Sequence, residues 1–126
     1  IRDFSGPARS KERYQHYTDG EKNVLFLAQE ENQFIGFINL MLIDVQEEAM
    51  NVKRSFVLLD NIFVREAFQS KGVATQLMDK AETWSKEKGV SKIELQLYTS
   101  NEKALQFYQS MGFNPFMFIM ERTVKQ

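Results

Sequence analysis

The run Gln69-Ser70-Lys71-Gly72-Val73-Ala74, with Thr75 after it, sets a glycine, a lysine and two hydroxyls where an apolar stretch (Ser55 to Val64) gives way to a helical pattern (Val73 to Lys88). Consecutive backbone N–H groups at a helix start lack intrahelical partners and sit at the positive end of the helix dipole. Such a turn can therefore hold a phosphate or pyrophosphate. Gly72 lets the backbone come close to the anion. Taken alone, the pattern is also that of an ordinary strand-to-helix loop.

Asp60 stands out for another reason, as a carboxylate inside Val57-Leu58-Leu59-Asp60-Asn61-Ile62-Phe63-Val64. An unpaired buried carboxylate costs several kcal/mol, so Asp60 must face a partner, a cleft or water. It can anchor a cationic amine and accept its proton through water, or hydrogen-bond a loop. By strand alternation Asn61 points to the opposite face. Tyr108 falls on an apolar helical face with Ala104 and Phe107, which by periodicity alone is a core position. The single histidine, His16, rules out a multi-histidine metal centre, and the absence of cysteine removes disulfides, thiolate metal sites and thiol nucleophiles.

The elements that must position these residues follow from the pattern. Val24 to Ala28 and Phe34 to Ile43 read as an antiparallel hairpin around Glu30-Glu31-Asn32-Gln33. Ser10 to Tyr17 reads as a short helix. Asp44 to Arg54, charged and without period, reads as a long loop framing a site. Ser55 to Val64 is β-branched and aromatic, a central strand. Val73, Leu77, Ala81 and Trp84 recur at helical spacing and Gly89 closes that helix; Ile93, Leu95 and Leu97 alternate as a further strand. Strand, helix, strand makes a βαβ unit with parallel strands and a right-handed crossover. Thr99-Ser100-Asn101-Glu102, with a Thr-x-x-Glu box, starts a second helix that Gly112 ends, and Phe116 to Val124 forms a last strand.

At 126 residues the chain is expected to be a single domain, 1–126. Its 16 Lys+Arg against 17 Asp+Glu give almost no net charge, which argues against nucleic-acid binding through a basic surface. No apolar run nears the eighteen or so residues that span a bilayer, and no signal-peptide pattern opens the chain, so neither a membrane nor an export route is expected and a cytoplasmic location is.

Two stretches together resemble the Gcn5-related N-acetyltransferase superfamily. Leu59-Asp60-Asn61-Ile62-Phe63-Val64 followed by Gln69-Ser70-Lys71-Gly72-Val73-Ala74 looks like its acyl-CoA pyrophosphate motif, Arg/Gln-x-x-Gly-x-Gly/Ala. Asn101 to Phe113 looks like its Asn-x-x-Ala-x-x-Phe-Tyr-x-x-x-Gly-Phe signature. The likeness covers roughly residues 24 to 124. It implies an acyl-CoA N-acyltransferase fold of the α/β (α+β) class: a mixed, mostly antiparallel sheet with a central parallel βαβ unit. Two departures accompany it. Residues 1 to 23 hold no obvious first strand, which is then absent or upstream of Ile1, and Ala74 stands where the family often has glycine.

The resemblance also implies roles. N–H groups from Gln69 to Thr75 (Gln69, Ser70, Lys71, Gly72, Val73, Ala74 and Thr75) hold the coenzyme A pyrophosphate, with the Lys71 charge and the Thr75 hydroxyl assisting. Ile62, Phe63 and Val64 pair their backbone with the pantetheine arm, in the manner of an added strand. Asn101, Lys103, Ala104 and Phe107 complete the cofactor contacts. Tyr108 becomes a general acid, neutral at pH 7 and able to protonate a CoA thiolate whose thiol pKa is about 8.5 by analogy with cysteine. The expected activity is acetyl transfer from acetyl-CoA to a primary amine, small or peptidic, without a metal. Asp60 and Glu47-Glu48 favour a cationic acceptor. A non-catalytic acyl-CoA-binding module is the second expectation, and Phe116 and Phe118 would line an acceptor pocket or a homodimer interface.

Overall fold

The computed structural model describes residues 14–47 and 52–125. The chain separates into two compact units, residues 1–95 and 96–126. The first unit is a five-stranded sheet in the order β1-β2-β3-β4-β5, made of β1 (Tyr14–Gly20), β2 (Asn23–Glu30), β3 (Gln33–Glu47), β4 (Val52–Val64) and β5 (Ile93–Glu94), with helix α1 (Val73–Glu87) between β4 and β5. Strands β1 to β4 form an antiparallel meander and β5 is parallel to β4. This is the mixed sheet with a βαβ unit that the sequence implied.

The β2–β3 hairpin turns on Glu31 and Asn32, at φ 52° and 65°. Two successive left-handed residues are what a two-residue hairpin loop needs to match strand twist. Alternate residues of the sheet supply one face of the core: Val24, Phe26 and Ala28 from β2, Ile38 and Leu40 from β3, Val57 and Leu59 from β4, all buried. Onto them α1 lays Val73, Leu77, Met78, Ala81 and Trp84, also buried, crossing β2, β3 and β4. The helix ends as its sequence indicates. Gly89 takes φ 77°, its N–H reaches the Lys86 carbonyl and the Val90 N–H the Ser85 carbonyl, a paired closure that satisfies the last free carbonyls.

Several expectations need correction. Residues 14–17, assigned to a short helix, belong to β1, so the sheet does have a strand ahead of β2; residues 10–13 lie outside the described set. The polar sequence of β1 hides it, because only its pairing with β2 and not an apolar alternation defines it. Asp44 to Arg54 is not a free loop: Asp44 pairs with Ser55 and Glu47 with Val52, so the β3–β4 ladder runs on to that pair; Glu48 lies outside the described residues. Charged side chains suit the solvent side of such an arm, as the Lys22–Asp44 ion pair (3.3 Å) illustrates. Strand β5 stops at Glu94 rather than running to Leu97.

The second unit holds α2 (Glu102–Ser110) and the segment after it. Its N-cap is Asn101, whose side chain accepts the Ala104 N–H at 3.2 Å, so Thr99 does not supply the cap. Residues 116–124 form no strand. Their β-favouring composition calls for extended backbone, but a strand also requires a partner's hydrogen bonds, and none pairs with them among the described residues. Phe116, Met117, Phe118, Ile119 and Met120 are all exposed there.

Candidate functional site

Strand β4 departs from regular pairing where Asp60 stands. Asn39 pairs with Asn61 and Leu40 with Leu59, which leaves Asp60 as the extra residue of a β-bulge. A bulge re-aims side chains and ends strict alternation. Both Asp60 and Asn61 are accordingly exposed, and the Asn39 side-chain amide donates to Asp60 Oδ2 at a long 3.4 Å. The carboxylate is thus a solvated group, not a buried charge, and the opposed orientation of Asn61 does not hold.

Beyond the bulge, β4 stays paired with β3 through Gly36 and Val64, whereas its pairing with β5 covers only Val57 and Leu58. The edge that carries Ile62, Phe63 and Val64 runs on past the end of the parallel ladder. Gly36 fits the strand end closely: a Cβ there would stand 2.5 Å from the Phe63 carbonyl oxygen, so only glycine admits that carbonyl. Sequence reasoning did not single out Gly36 or Asn39. An isolated glycine inside a strand pattern was the available signal for the first, and no signal marks the second.

Past Arg65 a single 3₁₀ turn, Glu66–Phe68, leads into the glycine turn. Gln69 ties the turn back to the strand, its side-chain amide donating to the Val64 carbonyl at 2.9 Å. Ser70 at φ 65° and Gly72 at φ 85° are both left-handed. The first costs a non-glycine residue strain, which persists only where its surroundings impose it. Apart from its chain neighbours, no atom of the described residues lies within 4 Å of a Cβ built on Gly72, so this glycine serves the backbone conformation and leaves open space beside it.

The start of α1 is bare. It has no side-chain cap and no acidic residue in its first turn, and its first bond runs from the Gln76 N–H to the Gly72 carbonyl (3.0 Å). The N–H groups of Val73, Ala74 and Thr75 therefore lack helical acceptors at the positive end of a fifteen-residue helix. Gln69, Ser70, Lys71, Gly72 and Thr75 are exposed, Ala74 is half-buried and Val73 anchors the turn in the core. Free donors at the positive end of a helix favour a negative charge placed against them.

In the second unit the signature residues resolve into a start, a stop and a phenol. Asn101 caps α2, and Lys103 is exposed on its first turn. At the other end Gly112 is left-handed at φ 98°, its N–H bonds the Gln109 carbonyl, and the Phe113 N–H bonds the Tyr108 carbonyl. The Phe113 ring then packs edge-on against Tyr108 at 5.7 Å, the apolar contact that usually accompanies this closure. Phe107 flanks Tyr108 from the other side at 5.1 Å. With the Tyr108 side chain half-buried beside these rings, its hydroxyl has a pKa raised above the usual value near 10 by desolvation. It is neutral, and a proton donor, throughout the neutral range. Ala104 is half-buried and Phe107 partly exposed on the same helix. No group of three or more His, Asp or Glu able to hold a metal occurs among the described residues, and no helix among them is long and apolar enough to cross a membrane.

Residues 2–113 match the model of the Acetyltransferase (GNAT) family. Among curated proteins the chain is similar to the uncharacterized N-acetyltransferase MJ1207 of Methanocaldococcus jannaschii, 34% identical over 61 residues that make up 48% of this chain and 27% of the relative. It is also similar to an uncharacterized N-acetyltransferase of the pepI 3' region of Lactobacillus delbrueckii, 30% identical over 86 residues, 68% of this chain and 49% of the relative. The chain thus spans half or less of these two relatives. In fold it is similar to the aminoglycoside N-acetyltransferase AAC(6')-Iy, solved in complex with CoA, at TM-score 0.70 and 21% identity, with 85% of this chain and 79% of that one covered.

Proposed function

We propose, from the premise that the chain belongs to the Acetyltransferase (GNAT) family, that it transfers an acetyl group from acetyl-CoA to a primary amine by direct attack. The observation that carries the reading is the bare start of α1, with its left-handed Ser70 and Gly72, set directly after the β4 edge that outruns β5. A cradle of unspent donors followed backward along a strand with a free edge suits a ligand that is anionic at one end and peptide-like at the other. Coenzyme A has both parts, and acetyltransferases that share this fold have been solved with CoA and with a CoA-linked acetylneamine bisubstrate analogue.

In this reading the pyrophosphate lies on the N–H groups of residues 70–75, the Gln69 N–H being spent on the Glu66 carbonyl (3.2 Å), and the pantetheine amides pair with Ile62 to Val64. Strand N–H groups near Phe63 and Val64 polarise the thioester carbonyl. A neutral amine attacks while Asp60 takes up its proton through water, and Tyr108 protonates the departing sulfur. From a phenol above pKa 10 to a thiolate near 8.5 the transfer is uphill by about 2 kcal/mol or somewhat more, a modest step inside an enzymatic barrier.

A calorimetric or thermal-shift titration with acetyl-CoA tests the reading, followed by free-thiol release across a panel of primary amines. Ligand at a hundredfold its Kd should stabilise the fold by about 2.7 kcal/mol. Stabilisation without thiol release on any amine favours a non-catalytic acyl-CoA-binding module. Absence of any stabilisation removes both.

A further inference from the structure

The sheet face opposite α1 carries a feature that acetyl-CoA does not account for. Phe34, Phe37 and Phe63 form a cluster, with Phe34 nearly parallel to Phe63 (8°, centroids 6.1 Å) and inclined 25° to Phe37 (6.5 Å), and with Phe37 and Phe63 6.0 Å apart. Stacked rings usually belong in a core. These stay open, Phe63 at 45% and Phe34 at 37% exposure.

Register places a polar group beside them. Phe37 pairs with Phe63 and Asn39 with Asn61, so these four side chains share the face that Ile38 and Leu40 turn away from, and the Asn39 amide holds the Asp60 carboxylate on that same face. From ring pair to amide pair is two residues along each strand, about 7 Å. At the far side of the rings Arg65 spends an Nη1–H on the Phe34 carbonyl (3.1 Å), so charge changes sign across the cluster, negative at Asp60 and positive at Arg65.

We infer that this face is the acceptor subsite and that it selects a primary amine with a planar, preferably aromatic, body. The inference rests on the acetyltransferase reading and gives its acceptor a chemistry. The ammonium group sits at Asp60, where opposite charge is offered, and is turned away from Arg65. The ring lies on Phe34 and Phe63, where offset stacking adds to burial. The 7 Å spacing fits a linker of about two or three carbons between amine and ring. Held at the bulge, the nitrogen is next to the Ile62–Val64 edge assigned to the thioester.

Calorimetry with 2-phenylethylamine and its ring-saturated cyclohexyl analogue, on the whole chain without coenzyme, tests this independently of turnover. The wild type should bind the aromatic amine at least threefold more tightly. Phe34→Leu, which keeps apolar volume, should abolish that preference, and Phe34→Ala should weaken the aromatic amine about tenfold while leaving acetyl-CoA affinity unchanged. Asp60→Asn should weaken both amines alike. Equal binding of the two amines by the wild type, or Phe34→Leu and Phe34→Ala proteins of native circular dichroism with unaltered affinity, would overturn the subsite. If acetyl-CoA fails to bind while the amine preference persists, it is the acetyltransferase reading that falls.

Discussion

The two helices of this protein begin in opposite ways. α2 starts capped: Asn101 accepts the Ala104 N–H and Glu102 places a carboxylate in the first turn, so one free donor and the dipole are met from within. α1 starts open, uncapped and without an acid, after two left-handed residues. With glycine at the cap, the unmet start sacrifices about a few tenths of a kcal/mol that a serine or aspartate cap would supply. That the chain forgoes it at α1 and takes it at α2 separates the two signature regions: in the proposed reading one receives an anion, and the other fixes a helix that carries a phenol.

The largest effect should come from the capped helix. Tyr108→Phe keeps the ring between Phe107 and Phe113 and removes only the hydroxyl. kcat should fall by about a hundredfold or more, the usual scale of general-acid loss, with acetyl-CoA affinity intact. Because the wild-type hydroxyl is pushed above pKa 10, its rate should hold through neutral pH and fall only as pH rises past that range, and the variant should lack this limb. Burial acts on stability in the same direction: the phenol's folded pKa exceeds its unfolded value near 10, so stability is complete below pH 10 and declines as pH rises through the folded value. Circular dichroism at each pH separates the two. Full turnover by Tyr108→Phe would leave α2 without chemistry.

Next in size is the open helix. Gly72→Asp puts a carboxylate at the positive end of α1, and aspartate tolerates left-handed backbone better than most residues. Fold stability should change by less than about 1 kcal/mol, since an acid near a helix N-terminus is itself favourable. Acetyl-CoA should nevertheless bind at least tenfold more weakly by calorimetry, through repulsion of the pyrophosphate. Unchanged affinity would reduce the turn to punctuation.

The contrast between the helices was only partly legible beforehand. α1 could be read in detail because Val73, Leu77, Ala81 and Trp84 report burial against a sheet, and Gly89 reports a left-handed stop that needs no other residue's help. The sequence leaves the start of α2 open among Thr99, Ser100 and Asn101, since all three side chains cap well and only geometry chooses Asn101. Strand β1 was invisible because polar residues on a hairpin gain their order from β2. The segment 116–124 erred in the other direction, for composition favours extended chain without supplying a partner. At the site, Gln69 to Thr75 came from the motif, while the Asp60 bulge did not. A bulge is a mismatch between two strands, and neither strand's sequence contains it.

Asn101→Ala should have the smallest effect and sharpens the comparison most. Loss of the cap should cost about 1 kcal/mol in chemical denaturation. If Asn101 only closes α2, acetyl-CoA affinity stays the same; if its amide also touches the pantetheine arm, affinity drops severalfold as well. Asn101→Asp separates the two roles, because a carboxylate still accepts the Ala104 N–H, and more favourably at a helix start, but has no N–H to give. Stability regained with affinity still lost means that one asparagine closes the helix with its oxygen and reaches the ligand with its nitrogen. Both regained means that the start of α2 is wholly internal, and that donors for the ligand come from α1 and β4.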